Sequence, residues 1–263
     1  MADYVYVGEE LRVFAEALNW KSYLRDTIGE FITGDVLEVG AGMGATTRAL
    51  CTGTTSSWTC LEPDGALATR LSATLSAEPI ASAPTVRDTD IGGLGQELCF
   101  DCILYVDVLE HILEDRQELT AARRHLRSGG YLIIVGPAHQ WLYSAFDEAI
   151  GHHRRYTRTS LSERIPIGMM PVMLRYLDFV GVGLSAANRL AIREPNPSAR
   201  QIRFWDRFVV PLSRRIDPLL RWRVGKTVVG VWREPEGPAS KAPGPGGRAR
   251  SPVWSGWLAS RWS

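Results

Sequence analysis

Apolar residues recur along this chain with two alternating periods. Near the start, Leu11, Phe14, Ala15 and Leu18 share one helical face, and the spacing predicts a helix over 9–32. The pattern then alternates between short β-branched runs and helical stretches. Strands are predicted at 35–39, 58–61, 85–87, 100–106 and 131–135. Helices are predicted from Ala45, over 65–75 and over 114–126, the last of them stopped by Ser128-Gly129-Gly130. The run 100–106 is apolar throughout, as in a sheet covered on both faces. Strands alternating with helices predict an α/β fold with a doubly wound, mostly parallel sheet.

After Gly136-Pro137 the alternation stops. Residues 137–165 are rich in aromatic, His and Arg residues and are predicted to form an inserted lid on the substrate side. A sixth strand is expected at 172–177 and a last one at 226–233. Between them, 183–223 should form a helical cap broken by Pro195, Pro197, Pro211 and Pro218. One domain over 1–233 follows. Residues 234–263 turn to Pro, Gly, Ser, Ala and Arg, a composition expected to remain disordered. Trp254, Trp257 and Trp262 in that tail have no explanation in the pattern.

The chain has 263 residues, 45% of them hydrophobic, enough for a full core. Its net charge of +1 hides an asymmetry: residues 1–150 carry 10 Lys/Arg and 22 Asp/Glu (−12), and residues 151–226 carry 15 and 5 (+10). Two readings fit: halves of one domain attracting each other, or a basic half facing an anionic ligand. The first ten residues lack the basic start and apolar run of a signal peptide, and no apolar run reaches the length of a membrane span. A cytoplasmic protein is expected, with no nucleic-acid partner. Cys99 and Cys102 form a C-x-x-C without a second pair at metal spacing; they are read as buried cysteines, and no metal is expected. Arg207–Val224 mixes arginines with apolar residues. Packing on the core is the favoured reading, over contact with a membrane surface.

The candidate chemistry begins at Gly40, Gly42 and Gly44, between a strand and a helix, where glycine lets backbone turn sharply beside a ligand. The spacing also fits a dinucleotide loop, with Glu62 as the ribose-binding acid. Charge separates the two. Glu38 puts a carboxylate toward the loop, which favours a cationic ligand over a pyrophosphate.

Four segments in order resemble the class I S-adenosylmethionine-dependent methyltransferases. These are Val36–Gly44, Leu61-Glu62-Pro63-Asp64, the strand from Phe100 with its Asp107-Val108-Leu109-Glu110-His111 turn, and Leu126–Val135. The resemblance implies a Rossmann-like sheet and S-adenosylmethionine as cofactor. It places Gly40, Ala41 and Gly42 under the methionine part, Glu62 and Pro63 at the ribose hydroxyls, Asp88 near the adenine, and Asp107 beside the cofactor.

A second resemblance is to a bacterial methyltransferase subfamily with a His-x-Arg-Arg-Tyr signature after the fifth strand, carried here by His152-His153-Arg154-Arg155-Tyr156. It extends over about 1–233 and departs near Pro166–Val172, where the usual Gly-Phe before the sixth strand is absent. Members often accompany glycosyltransferases, which implies a small-molecule or glycosylated acceptor. Methyl transfer to oxygen or nitrogen releases a proton, and imidazole titrates in the useful range. His152, His153 and Tyr156 are therefore the catalytic candidates, with His139 a weaker one. Arg154 and Arg155, with Tyr143, are candidates to hold an anionic acceptor. The competing reading pairs these arginines with Asp147 and Glu148 in a structural lid. At the level of function, the alternatives are a nicotinamide-dependent reductase and a non-catalytic cofactor-binding module.

Overall fold

The computed structural model describes residues 14–77, 80, 83–187 and 198–236. Seven strands form one sheet: β1 (Gly34–Val39), β2 (Thr55–Leu61), β3 (Thr85–Arg87), β4 (Phe100–Val106), β5 (Leu126–Pro137), β6 (Met170–Leu177) and β7 (Thr227–Arg233). Their order is β3-β2-β1-β4-β5-β7-β6. The first five run parallel, and β7 inserts antiparallel between β5 and β6. The helices of the first half are α1 (Leu18–Ile28), α2 (Ala45–Leu50), α3 (Gly65–Ala77) and α4 (Asp115–Arg124).

Side chains alternate across the central strands into two cores. Val36, Cys60, Cys102, Leu104, Ile133 and Val135 face one layer, and Leu37, Leu61, Ile103, Tyr105, Leu132 and Ile134 the other. This double coverage is why β4 lacks a polar alternation. Cys102 is fully buried and Cys99 half-buried, both as free thiols.

Several boundaries differ from the expectation. Helix α4 ends at Arg124, and Ser128-Gly129-Gly130 lies inside β5, where it absorbs a register shift opposite Phe100 and Cys102. Gly129 takes a φ of +76°, and a side chain on Gly130 would stand 2.9 Å from the Asp101 carbonyl oxygen. The predicted cap over 183–223 starts earlier, at Phe179, and comprises α7 (Phe179–Ala187), α8 (Ala199–Phe204), a π-turn at Trp205–Val209 and α9 (Val210–Leu219), with 188–197 outside the described residues. The lid holds two short helices, α5 (Ala145–Ala149) and α6 (Arg158–Ser162). The expected disorder and the three tail tryptophans fall on 237–263, also outside them, as do residues 9–13 of the first predicted helix. Glu234, placed in the tail above, instead accepts a forked ion pair from Arg123 at 2.8 Å.

Buried carboxylates fasten the cap to α1. Asp206 accepts from the Trp20 backbone at 2.8 Å, and Asp217 accepts from the Tyr23 hydroxyl and the backbone of Asp178. Asp178 in turn accepts from Trp205 and Ser213, each at 2.6 Å. Val209, Val210 and Ser213 face inward, whereas Phe208, Leu212 and Leu219 stay exposed. The segment thus packs on the core along a narrower stripe than its composition suggests. Among the described residues, no helix is long and apolar enough to cross a membrane.

Candidate active site

The carboxyl ends of β1, β2, β4 and β5 open into one cavity of about 1690 Å³. Single ligand sites usually enclose roughly 300–1,000 Å³, so this one has room for two molecules side by side. One end is the glycine loop. Gly40, Gly42 and Gly44 all have positive φ, and a Cβ on Gly40 would stand 2.7 Å from Val108. The N–H groups of Gly40 and Ala41 both donate to the Leu61 carbonyl, which folds the loop over the end of β2. Glu62 accepts from Gly42 N–H at 2.8 Å and Asp64 N–H at 3.1 Å, so one carboxylate shapes both turns. Burial raises the Glu62 pKa, opposed by those two hydrogen bonds. Ala41, Gly42, Glu62, Pro63, Asp88 and Asp107 all line the cavity.

Glu38 sits differently from the expectation. It is 2% exposed and lies behind the loop rather than on the cavity wall. Its Oε2 accepts from Thr47 at 2.6 Å and from Trp58 at 2.9 Å, which ties α2 to β2. Burial raises its pKa to about 7, opposed by those hydrogen bonds and by Lys21.

At the end of β4, Asp107 takes a left-handed φ of +55°, an uncommon conformation for a side-chain-bearing residue. It is exposed and lines the cavity. The enclosing walls raise its pKa, opposed by His152, Lys21 and Lys226. Beyond it, Glu110, His111 and His152 also line the cavity. The two imidazoles meet edge to face at 4.5 Å, and His152 Nε2 stands 3.7 Å from Glu110 Oε1. The other nitrogen, Nδ1, is 2.8 Å from Asp147 Oδ1. Burial alone would raise the Asp147 pKa, but hydrogen bonds from His152 and Arg155 hold it well below the carboxylate range. Burial lowers the His111 pKa to about 3, assisted by His152 and His153, and leaves that ring neutral.

The opposite end of the cavity is apolar. Phe14, Trp20 and Leu24 line it together with Leu184, Ile202 and Trp205 of the cap, and the Trp205 ring packs on Trp20 at 5.7 Å and on Phe14 at 6.3 Å. Lys226 covers the Trp205 ring at 3.9 Å and pairs with Asp178.

Of the three catalytic candidates, only His152 reaches this space. His153 is exposed and absent from the cavity wall. Tyr156 is 1% exposed and donates to Asp115 at 3.0 Å and to the Leu109 carbonyl, a structural position that corrects its assignment. The substrate-binding candidates are corrected in part. Arg154 pairs with Asp115 and donates to the Leu113 carbonyl, and Tyr143 donates to the His152 carbonyl at 2.6 Å, so neither side chain lines the cavity. Arg155 does line it, but spends two donors on a forked pair with Asp147, each 2.8 Å long. Both arginines are thus paired within the chain, Arg155 with Asp147 and Arg154 with Asp115 rather than Glu148. His139 stacks on Tyr176 at 4.6 Å, away from the cavity. Glu110 was missed as a site residue. Its one signal was adjacency to His111 in the turn after β4.

A family model described as a methyltransferase domain matches residues 37–132, which carry the glycine loop, Glu62, Asp107 and Glu110. No curated protein matches the chain significantly. Among solved structures, it is similar to the N-methyltransferase NodS from Bradyrhizobium japonicum in complex with S-adenosylhomocysteine, at 16% identity and a TM-score of 0.52, over 87% of this chain and 88% of that one. It is similar to an S-adenosylmethionine-dependent methyltransferase from Clostridium acetobutylicum at 11% identity and a TM-score of 0.54, over 86% and 94%. It is also similar to the cyclase SpnF at 16% identity and a TM-score of 0.59, over 82% and 81%. The reductase alternative gains nothing from these matches. Residues 37–132 thus match a methyltransferase-domain model, and the chain shares the Rossmann-like fold of these solved methyltransferases.

Proposed function

We propose that the chain methylates a hydroxyl or amine on a bulky, largely apolar small molecule, glycosylated acceptors included. The observation that carries this reading is the continuity of the cavity: the glycine loop at one end and the aromatic cap at the other enclose more space than a cofactor needs. The cofactor lies along Gly40–Gly42 and Glu62, and the acceptor fills the apolar end of the cavity lined by Phe14, Leu24, Leu184 and Trp205. Acceptor recognition rests on that apolar wall rather than on Arg154 and Arg155, whose charges are already matched within the lid.

His152 is the catalytic residue of this reading. Asp147 fixes its Nδ1 and orients the ring, so Nε2 is the atom that takes up the proton the nucleophile loses, and the imidazolium that forms is stabilised by Asp147. Most of the rate comes from holding nucleophile, methyl carbon and sulfur in line.

The test is product analysis with isotope-labelled S-adenosylmethionine and a panel of apolar alcohols, phenols, amines and glycosides. A labelled product is expected, with turnover reduced about 100-fold or more in His152→Ala and near normal in His153→Ala. Labelling confined to small charged acceptors would overturn the acceptor class. Normal turnover in a folded His152→Ala protein would overturn the role of His152.

A further inference from the structure

We propose that Glu110, His111 and His152 bind one divalent transition-metal cation, Zn²⁺ foremost, at the wall of the cavity. Three observations lead there. First, both carboxylate oxygens of Glu110 are buried and have no hydrogen-bond partner among the described residues, and the residue is 0% exposed. Buried carboxylates are otherwise almost always paired or on a metal. Second, one ligand atom from each of the three residues lies within 4.8 Å of the others. Donors around one such ion stand roughly 3.4 Å apart, from metal–ligand distances near 2.1 Å, so a small inward movement of side chains closes the set. The His152 to Glu110 separation of 3.7 Å is already close to that spacing and too long for a direct hydrogen bond.

Third, the outer contacts suit ligation. His152 presents Nδ1 to Asp147, which is itself held by Arg155, and His111 hydrogen-bonds the Gly151 backbone. Each ring then carries its proton on the nitrogen facing that acceptor, and its lone pair on the other. Metal-ligating histidines are oriented in this way by carboxylates and carbonyls. Two imidazoles and one carboxylate favour Zn²⁺, Fe²⁺ or Co²⁺ over Mg²⁺ or Ca²⁺, and leave a coordination position open.

The cation site stands without the methyl-transfer reading, but its consequence rests on it. An acceptor hydroxyl in the open position would lose its proton to water more readily. Its oxygen would then bond to the methyl carbon, and the carbon–sulfur bond would break with its electron pair left on sulfur, giving S-adenosylhomocysteine. In that case His152 acts as a ligand instead of a free base.

The experiment is calorimetric titration of the metal-stripped full-length chain with Zn²⁺, and separately with Mg²⁺ and S-adenosylhomocysteine. One Zn²⁺ per chain is expected, bound at least tenfold more tightly than Mg²⁺. Glu110→Gln and His152→Ala should each weaken Zn²⁺ binding at least tenfold, whereas His153→Ala should not. Melting curves establish that each variant is folded, and the two ligand variants act on different elements, so failure of one to fold leaves the other. No stoichiometric Zn²⁺ binding, or binding unchanged in the folded ligand variants, overturns the site. S-adenosylhomocysteine binding without Zn²⁺ removes the metal site alone. Zn²⁺ binding without S-adenosylhomocysteine binding leaves the site and removes the methyl-transfer reading.

Discussion

Replacing Glu38 by Gln should flatten the pH dependence of stability between pH 5 and 8. Thr47 and Trp58 both donate to the same oxygen, Oε2, so the amide oxygen of Gln can accept both bonds and the fold is kept. What disappears is the titration. The carboxyl pKa is about 7 in the folded chain against 4.5 for a free glutamate side chain. The folded state therefore binds the proton more tightly. Stability from this group is full below the unfolded pKa and is lost as pH rises through the folded one. That difference in proton affinity corresponds to about 3 kcal/mol in all, of which about 2 to 3 kcal/mol falls between pH 5 and 8. Other titrating groups are common to both proteins and cancel in the difference. Urea unfolding of the parent and the Glu38→Gln chain at pH 5, 6, 7 and 8 measures it directly. The parent should lose about 2 to 3 kcal/mol relative to the variant across that range. Parallel curves, or a difference that grows in the opposite direction, would refute the assignment of a buried, proton-binding Glu38.

Tyr156→Phe should lower stability by about 1–2 kcal/mol through loss of a buried hydrogen bond, while turnover per folded molecule stays near normal; thermal melts and rates on the same preparation check both. Truncation after Glu236 should leave the melting temperature unchanged. Truncation after Arg233 should cost about 1 kcal/mol more, the scale of a partly exposed forked ion pair, because it removes Glu234 from Arg123.

The sheet was legible because its central strands carry a physical signature. Cys102, Ile103, Leu104 and Tyr105 are all 0% exposed, so a strand covered on both faces must be apolar at every position. The glycine loop was legible for a similar reason, since its three positive-φ positions exclude most other residues. Ser128-Gly129-Gly130 misled because the same composition serves a helix stop and a strand irregularity, and only the register against β4 decides. The lid was visible as composition, but its wiring was not. Tyr156 to Asp115, Arg154 to Asp115 and His152 to Glu110 join residues far apart in sequence, and such polar contacts leave no periodicity. The same holds for Asp178, Asp206 and Asp217, which fasten the cap and would each pass for a surface residue. The same holds for the cluster of Glu110, His111 and His152: the first two are neighbours in sequence, but His152 reaches them from the lid.

The most direct measurement is calorimetry of the purified chain with S-adenosylhomocysteine and, in parallel, NADH. The account predicts saturable one-to-one binding of S-adenosylhomocysteine, weakened by at least about 1 kcal/mol in Glu62→Ala, and no measurable heat from NADH. Tight NADH binding with no response to S-adenosylhomocysteine would contradict it.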